Sequence, residues 1–396
     1  MIRKIAFCIL LAAGSCAAFA QSREIGTVDI AADARATTVR ITGDADLRPI
    51  AETAFRTHGR YRVTADRASY VINFTAAGGN QVRVEVSTGN PARSVFAETL
   101  SGTSKRNALF RAADAAVRQT SGLPGFFASK LTFISDKSGK REVCTSDLFF
   151  GEAVQLTNDR ADALSPRWSP NGSQIVYTSY FGTGFPDIYV IDVASRQRKP
   201  LATFKGTNTG ARFSPDGSRV AMVLSGEGNS EIYVKPAAGG AVKRLTRNQS
   251  VEASPAWSPD GSRLVFTSDS AGKPQLYQMS AAGGAMTRVP TNISGYCAEP
   301  DWSVGNPNKI VFTIAMGSRF VLAVYDFSTG KSTTVATGPG DAIEPSWLAD
   351  GRHVVFTARG PNTRRTMIVD TETGKATRLS GDGLGQVSHA HVLAPR

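Results

Sequence analysis

The chain has 396 residues, of which 41% are hydrophobic and 20% are charged, a balance that excludes a disordered or fibrous protein. Its length exceeds that of one typical domain, so we expect two domains or one large repeat architecture. The net charge of +12 raises nucleic acid as a partner. The basic residues are nevertheless spread thinly and lack interleaved aromatic residues, so we expect no nucleic-acid binding.

The first twenty residues have the pattern of a secretory signal peptide. Arg3 and Lys4 provide a positive start, and residues 5–13 form an apolar stretch too short to span a bilayer. Residues 18–20, Ala-Phe-Ala, predict cleavage after Ala20. The pattern therefore predicts an exported mature protein, and no later segment has the length of a membrane span.

The cysteines are too few for a disulfide scaffold. Cys8 and Cys16 fall in the signal peptide, and acylation of Cys16 is the alternative to simple cleavage. Residues 13–15, Ala-Gly-Ser, disfavour it, because a large aliphatic residue is expected three positions before an acylated cysteine. The repeat described below places Cys144 and Cys297 in blades on opposite sides of a ring, so we expect two unpaired thiols.

Residues 21–125 lack the repeat and predict a small α/β domain. Apolar periodicity and turn residues mark each element of this region. The predicted elements are a strand at 38–42, a helix capped by Asp46 and running to His58, a hairpin of 70–75 and 81–87, a strand at 95–100, and a helix at 105–120.

The rest of the chain, residues 126–396, repeats itself every 44 or 45 residues. Each copy has an aromatic residue followed by a variant of Ser-Pro-Asp-Gly, which is turn chemistry, and then by a short β-branched run. The last copy is degraded, with a histidine at the aromatic position. The aligned positions are Trp168, Phe213, Trp257, Trp302, Trp347 and His391.

This repeat predicts a β-propeller, because four short strands per repeat form a small sheet that neighbouring sheets bury on both faces. A further apolar run, residues 131–135, lacks the preceding aromatic segment, and the segment 388–393 lacks a following run. Each end supplies what the other lacks. We therefore expect six blades, with the C-terminal strand as the inner strand of the first blade.

The pattern also defines two faces of the ring. The Pro-Asp-Gly turns lie on one face, here named the turn face. The loops before each inner strand, and those between the second and third strands of each blade, surround the opposite opening, here named the free mouth. Because the chain enters the ring at Leu131 on the turn face, the N-terminal domain should sit there and leave the free mouth open.

The whole arrangement resembles the TolB family, the periplasmic propeller components of the Tol–Pal cell-envelope system. The resemblance is carried by the signal peptide, by the Trp-Ser-Pro-Asp-Gly blades, and above all by the junction at residues 116–135, Ala-Val through Leu-Thr-Phe-Ile-Ser. It implies a mainly β fold, a six-bladed propeller closed by the C-terminal strand and preceded by a small α/β domain. It also implies a monomeric periplasmic protein.

The role that the resemblance implies is protein binding without catalysis, cofactor or metal. A Pal-like peptidoglycan-associated lipoprotein would bind at the free mouth, and a TolA-like inner-membrane protein would engage a switch peptide at residues 21–29. That peptide begins with Gln21, Ser22, Arg23, Glu24 and Ile25. The candidate contacts at the mouth are Thr207, Asn208, Glu252, Ser254, Glu299, Asp341 and Glu344.

One alternative function remains open, a secreted propeller enzyme of the lactonase or glycan-acting type with a cation in the channel. Glu299 and Glu344 are the candidate cation ligands. Against an enzyme, the sequence has no Gly-x-Ser-x-Gly nucleophile elbow. Its four histidines are scattered, and His389 and His391 favour a role at ring closure over metal binding.

Overall fold

The computed structural model describes residues 36–395. The predicted signal peptide and the predicted switch peptide lie outside the described residues. The N-terminal region folds as a five-stranded sheet in the order β2-β1-β3-β4-β5 with two helices. Its elements are β1 (Thr37–Gly43), α1 (Arg48–Thr57), β2 (Tyr61–Val63), β3 (Tyr70–Ala76), β4 (Gln81–Thr88), β5 (Arg93–Ser101) and α2 (Lys105–Ser121).

The predicted strands and helices of this region are present, with one strand, β2, that the sequence did not indicate. The start of α1 differs from the prediction. Leu47, not Asp46, occupies the N-cap and provides no side-chain cap, because an extra turn precedes the helix, in which the N–H groups of Leu47 and Arg48 donate to the Asp44 carbonyl. The Asp46 carboxylate accepts a hydrogen bond from Lys105 Nζ at 2.7 Å. Helix α2 is capped as its sequence suggests, by Ser104 at its start and by Gly122 in the left-handed conformation at its end.

Six four-stranded antiparallel sheets follow and form the six predicted blades. Blades 1 to 3 comprise β6 (Lys130–Ser135), β7 (Glu142–Asp147), β8 (Val154–Gln155); β9 (Ala163–Trp168), β10 (Gln174–Ser179), β11 (Asp187–Asp192), β12 (Arg198–Ala202); and β13 (Asn208–Phe213), β14 (Arg219–Leu224), β15 (Glu231–Pro236), β16 (Lys243–Arg244). Blades 4 to 6 comprise β17 (Glu252–Trp257), β18 (Arg263–Ser268), β19 (Gln275–Ser280), β20 (Thr287–Arg288); β21 (Cys297–Trp302), β22 (Lys309–Met316), β23 (Arg319–Asp326), β24 (Lys331–Val335); and β25 (Asp341–Trp347), β26 (His353–Arg359), β27 (Arg364–Asp370), β28 (Ala376–Arg378). A last strand, β29 (Val387–Leu393), returns to blade 1.

Strand β29 closes the ring as predicted. It pairs antiparallel with β6, with Val387 opposite Ser135 and Leu393 opposite Lys130. Val387 is fully buried. The inner strand of blade 1 is therefore supplied by the end of the chain, and the ring has no open edge between its first and last blades.

Every inner strand contains one bulge, at which the pairing register shifts. A residue in the left-handed backbone conformation marks the bulge. In blade 1 this residue is His389. The bulge corrects the predicted alignment of the last copy, because Val392, opposite Leu131, occupies the aromatic position, and His391 lies one residue before it. The six bulge residues are Ser165, Gly210, Ser254, Glu299, Glu344 and His389.

The N-terminal domain packs on the turn face, as expected. The His58 ring lies 4.5 Å from the ring of His353, which begins β26 just after a turn. Gly59 approaches Asp370 so closely that a Cβ would lie 2.0 Å from its Oδ2. On the blade 1 side, Arg106 pairs with Asp147 at 3.3 Å. One buried hydrophobic cluster runs from the N-terminal domain into blades 1 and 6.

The two cysteines in the described residues are free and buried, which confirms that they are unpaired. Their expected placement on opposite sides of the ring is wrong. Cys144 lies on β7 in blade 1 and Cys297 on β21 in blade 5, so blade 6 alone separates their blades on that side. Burial raises the pKa of the Cys144 thiol to about 12.

Candidate docking face and central channel

The loops at the free mouth are fixed by side chains at the start of the inner strands. Asn208 is fully buried. Its Nδ2 donates to the Phe204 carbonyl at 2.7 Å and to Asp187 Oδ1 at 3.1 Å, which joins the loop before β13 to the neighbouring blade. Thr207 is half-buried, and its N–H donates to Ser225 Oγ at 2.8 Å. Asn208 thus positions the mouth and has no surface with which to contact a partner.

Glu252 is also fully buried at the mouth, beside the buried Glu231. Its Oε1 accepts hydrogen bonds from Ser268 Oγ at 2.8 Å and from Asn248 Nδ2 at 3.1 Å. Burial, together with the neighbouring Glu231 carboxyl group, raises the pKa of Glu252 to about 7. As with Asn208, the expectation of direct partner contact is corrected, because this side chain holds the loop before β17 from below.

Two of the predicted contacts, Glu299 and Glu344, line the channel and connect blades. The Glu299 carboxylate accepts the N–H of Glu344 at 2.9 Å, and the Glu344 carboxylate accepts the N–H of His389 at 2.8 Å. Each of these donors is a bulge residue of the next blade. Glu344 Oε1 also lies 3.0 Å from His389 Nε2. The two carboxylates therefore stabilise the joints between blades 5, 6 and 1.

The electrostatic environment of these two carboxylates differs. Burial and the charge of Glu344 raise the pKa of Glu299. Burial opposes ionisation of Glu344 as well. The charge of His389 and the hydrogen bond that Glu344 accepts from the Thr357 hydroxyl nevertheless hold the Glu344 pKa below its usual value. Because Glu344 is engaged by protein donors on both oxygens, the pair gives no specific support to a channel cation.

The remaining predicted contacts, Ser254 and Asp341, are half-buried at the mouth. Ser254 is the bulge residue of blade 4. Asp341 begins β25, where its Oδ1 accepts the N–H of Phe320 at 2.8 Å and its Oδ2 accepts both Arg359 Nε and Nη2. The seven predicted residues thus gather around one opening, five of them half-buried and two buried beneath it.

The same face also has an apolar component that was not predicted from the sequence. Phe185 is 70% exposed at the tip of the β10–β11 hairpin, and Phe204 is 47% exposed in the loop before β13. Asn208 bonds to both the Pro186 and Phe204 carbonyls, so these two loops are neighbours. The sequence signal that could have indicated this exposed apolar surface is phenylalanine within a glycine-rich loop, as in residues 181–185. The exposed apolar residues of this face, here named the apolar arc, are Tyr180, Phe185, Phe204, Val251 and Met316.

One group of metal-ligand type lies outside this face. Donor atoms of His58, Asp350 and His353 lie within 4.8 Å of one another beneath the N-terminal domain. His353 Nδ1 bonds to Asp350 Oδ2 at 2.6 Å, and His58 Nδ1 accepts the N–H of Arg60 at 3.3 Å. Because this last bond places the proton of a neutral His58 on Nε2, that nitrogen is not a ligand, and we assign the group a packing role.

No helix within residues 36–395 has both the length and the apolar character needed to cross a membrane.

Comparison with known proteins identifies the repeat. Residues 117–390 match the family model described as the TolB beta propeller domain. The Tol-Pal system protein TolB of Anaeromyxobacter sp. (strain K) is 35% identical over 128 residues, which cover 32% of this chain and 29% of that protein. The TolB of Roseobacter denitrificans is 37% identical over 106 residues, covering 26% of this chain and 24% of that protein. Each of these alignments therefore spans less than a third of the relative's length.

Solved structures agree on the fold. The crystal structure of TolB from Acinetobacter baumannii superposes with a TM-score of 0.79, at 24% identity, and covers 90% of this chain and 96% of that chain. A putative TolB from Agrobacterium tumefaciens gives a TM-score of 0.51 at 19% identity, covering 68% of this chain and 98% of that chain. Since the family model spans more than half of the sequence and the closed six-bladed ring accompanies it, the chain belongs to the TolB β-propeller family.

Proposed function

We propose that this protein is a non-catalytic, periplasmic scaffold of a Tol–Pal cell-envelope system. Its free mouth docks a Pal-like peptidoglycan-associated lipoprotein, and residues 21–29 of the mature N-terminus engage a TolA-like inner-membrane protein. The named relatives support the system. The signal-peptide pattern supports the compartment, and the half-buried residues Thr207, Ser254, Glu299, Asp341 and Glu344 remain the proposed polar contacts.

The observation that carries this proposal is the division between the two faces. The N-terminal domain occupies blades 1 and 6 of the turn face, whereas the free mouth carries an apolar arc beside buried, ordered loops. Exposed aromatic residues are enriched at the centres of protein interfaces, where they supply most of the binding free energy. The mouth therefore combines a preformed surface with residues that gain most from burial against a partner.

Titration calorimetry with the soluble domain of a Pal-like lipoprotein from the same organism tests the proposal. We expect Phe185→Ser to weaken binding by about 10-fold or more, since a buried aromatic anchor contributes about 2 kcal/mol. Val304→Ser is the matched control, because Val304 is 71% exposed on the turn face. Equal binding by wild type and Phe185→Ser, or loss of binding in the control alone, contradicts docking at the free mouth.

A further inference from the structure

The channel opens on the turn face as a cavity of about 300 Å³. This opening is opposite to the proposed docking mouth. Aromatic residues that end the inner strands form its wall, and turn prolines form its rim. All four tryptophans of the sequence belong to this wall. The wall residues are Trp168, Phe213, Trp257, Trp302 and Trp347.

One residue deeper along each inner strand lies a ring of side chains, here named the inner ring. Its six members are two residues beyond the bulge in each strand, and they face the cavity from all six blades. They are Arg167, Arg212, Ala256, Asp301, Ser346 and His391.

In one half of the inner ring, each side chain accepts a backbone N–H from the next blade. Asp301 Oδ2 accepts the N–H of Trp347 at 2.9 Å, and His391 Nδ1 accepts the N–H of Trp168 at 3.1 Å. Ser346 Oγ lies 3.5 Å from the N–H of Val392. This half therefore satisfies the backbone donors that face the channel.

The other half of the inner ring holds Arg167, Arg212 and Ala256, whose side chains contain no hydrogen-bond acceptor atom. The strand register is the same in these blades, so backbone N–H groups of the following blades turn toward the channel in the same way. The cavity is thus polarised, with acceptors around one half of its floor and donors around the other. The N–H groups in question belong to Phe213, Trp257 and Trp302.

Arg167 is the unbalanced member of the donor half. Arg212 pairs with Asp301 across the ring, whereas Arg167 is only 8% exposed and its Nη1 has no hydrogen-bond partner within the described residues. Burial and the charge of Arg212 lower the pKa of Arg167 to about 9, and the opposite charges of Asp301, Glu344 and Glu299 offset only part of this shift. A buried guanidinium N–H without an acceptor is costly, and a bound acceptor recovers that free energy.

We propose that this cavity binds a small organic monocarboxylate, with its carboxylate on Arg167 and the neighbouring backbone N–H groups and its apolar body against the tryptophan wall. Planar guanidinium and carboxylate groups match in geometry, and the charge-assisted hydrogen bond is strong at a buried site. The channel also carries three carboxylates, those of Glu299, Asp301 and Glu344. Because they repel additional negative charge, a ligand with one negative charge should bind better than a phosphate dianion. The volume suits a ligand with the bulk of one or two amino-acid residues.

The position of the tryptophans makes the test direct. Tryptophan fluorescence of the full chain is titrated with N-acetyl-L-phenylalanine, with its uncharged amide, and with inorganic phosphate. We expect a saturable response to the acid, at least about 10-fold weaker binding of the amide, and no response to phosphate. Arg167→Gln should weaken binding of the acid to a similar degree, and Arg167→Lys should restore part of it. Arg247→Gln is the matched control, since Arg247 is exposed.

Equal affinity for the acid and the amide would overturn the proposal, as would the absence of a saturable response at millimolar acid. A stronger response to phosphate would make the cavity a general anion site and would also overturn it. If Arg167→Gln does not fold, the comparison of acid with amide on the wild-type protein still decides. Because the cavity lies on the turn face, these outcomes are independent of lipoprotein binding at the free mouth.

Discussion

Removal of β29 should unfold the ring cooperatively, because that strand is the inner strand of the first blade. Truncation after residue 386 removes the pairing with β6 and the burial of Val387 and Ala390. Burial of these two side chains contributes roughly 2 kcal/mol. The lost bonds that join His389 to Glu344 and His391 to Trp168 add roughly 1 kcal/mol each, and the lost ladder bonds add more. We expect a total of roughly 5 kcal/mol or more.

That loss is comparable to the whole stability of a typical domain. The truncated protein should therefore unfold well below the wild type in calorimetry, or lose its near-ultraviolet circular dichroism altogether. A chain that ends after Ala394 is the matched control, because it retains all of β29. If the longer truncation unfolds at the same temperature and as cooperatively as this control, the proposed closure is incorrect.

Three further changes test separate parts of the structure. Gly59→Ala places a methyl group against the Asp370 carboxylate, which Arg352 holds in place. It should destabilise the interface between the N-terminal domain and blade 6 by about 1–3 kcal/mol. Limited proteolysis should then release the N-terminal domain faster, and an unchanged cleavage rate would refute the close packing of Gly59 on Asp370. Glu252→Gln should remove part of the pH dependence of the free energy of unfolding. Because the pKa of Glu252 is raised to about 7 in the fold, its protonated form stabilises the protein at low pH, and this contribution is lost as pH rises. Between about pH 5 and about pH 8, wild type should therefore lose roughly 1–3 kcal/mol relative to the variant in urea unfolding, and parallel stability–pH profiles of the two proteins would contradict the raised pKa. Cys144 should resist alkylation in the folded protein, since burial raises its thiol pKa to about 12. Rapid modification of Cys144, measured by mass spectrometry, would contradict this expectation and show that blade 1 opens.

The closed ring could be predicted from the sequence because its signal is periodic. The spacing of Trp168, Trp302 and Trp347 specifies blades of constant length, and a missing strand at one end matched an extra strand at the other. The position of the N-terminal domain followed from the face at which residue 131 enters the ring. These inferences need only strand direction and chain connectivity, which local sequence specifies well.

Register and burial at the mouth could not be predicted in the same way. Either His391 or Val392 fits the degraded last repeat, and only the left-handed bulge at His389 distinguishes them. Asn208 and Glu252 are polar residues in loop-like sequence, yet neighbouring loops cover them and use their side chains as hydrogen-bond partners. Such roles depend on contacts between blades, which no local pattern contains.

The apolar arc was missed for a related reason. Phe185 and Phe204 lie among glycine and polar residues, so neither belongs to an apolar run, and each looks like an isolated exposed residue in the sequence. Only the fold brings their loops together through Asn208. Similarly, Asp46 before α1 pairs with Lys105 at the start of α2, a contact between segments far apart in the sequence that no local pattern contains.

Hydrogen–deuterium exchange with and without the soluble domain of the lipoprotein measures the docking face most directly. We expect slower exchange in the mouth loops, residues 180–186, 203–207 and 245–251, and unchanged exchange in the turns at 170–172, 215–217 and 259–261. Protection of those turns, with the mouth loops unaffected, would place the partner on the wrong face and contradict the account.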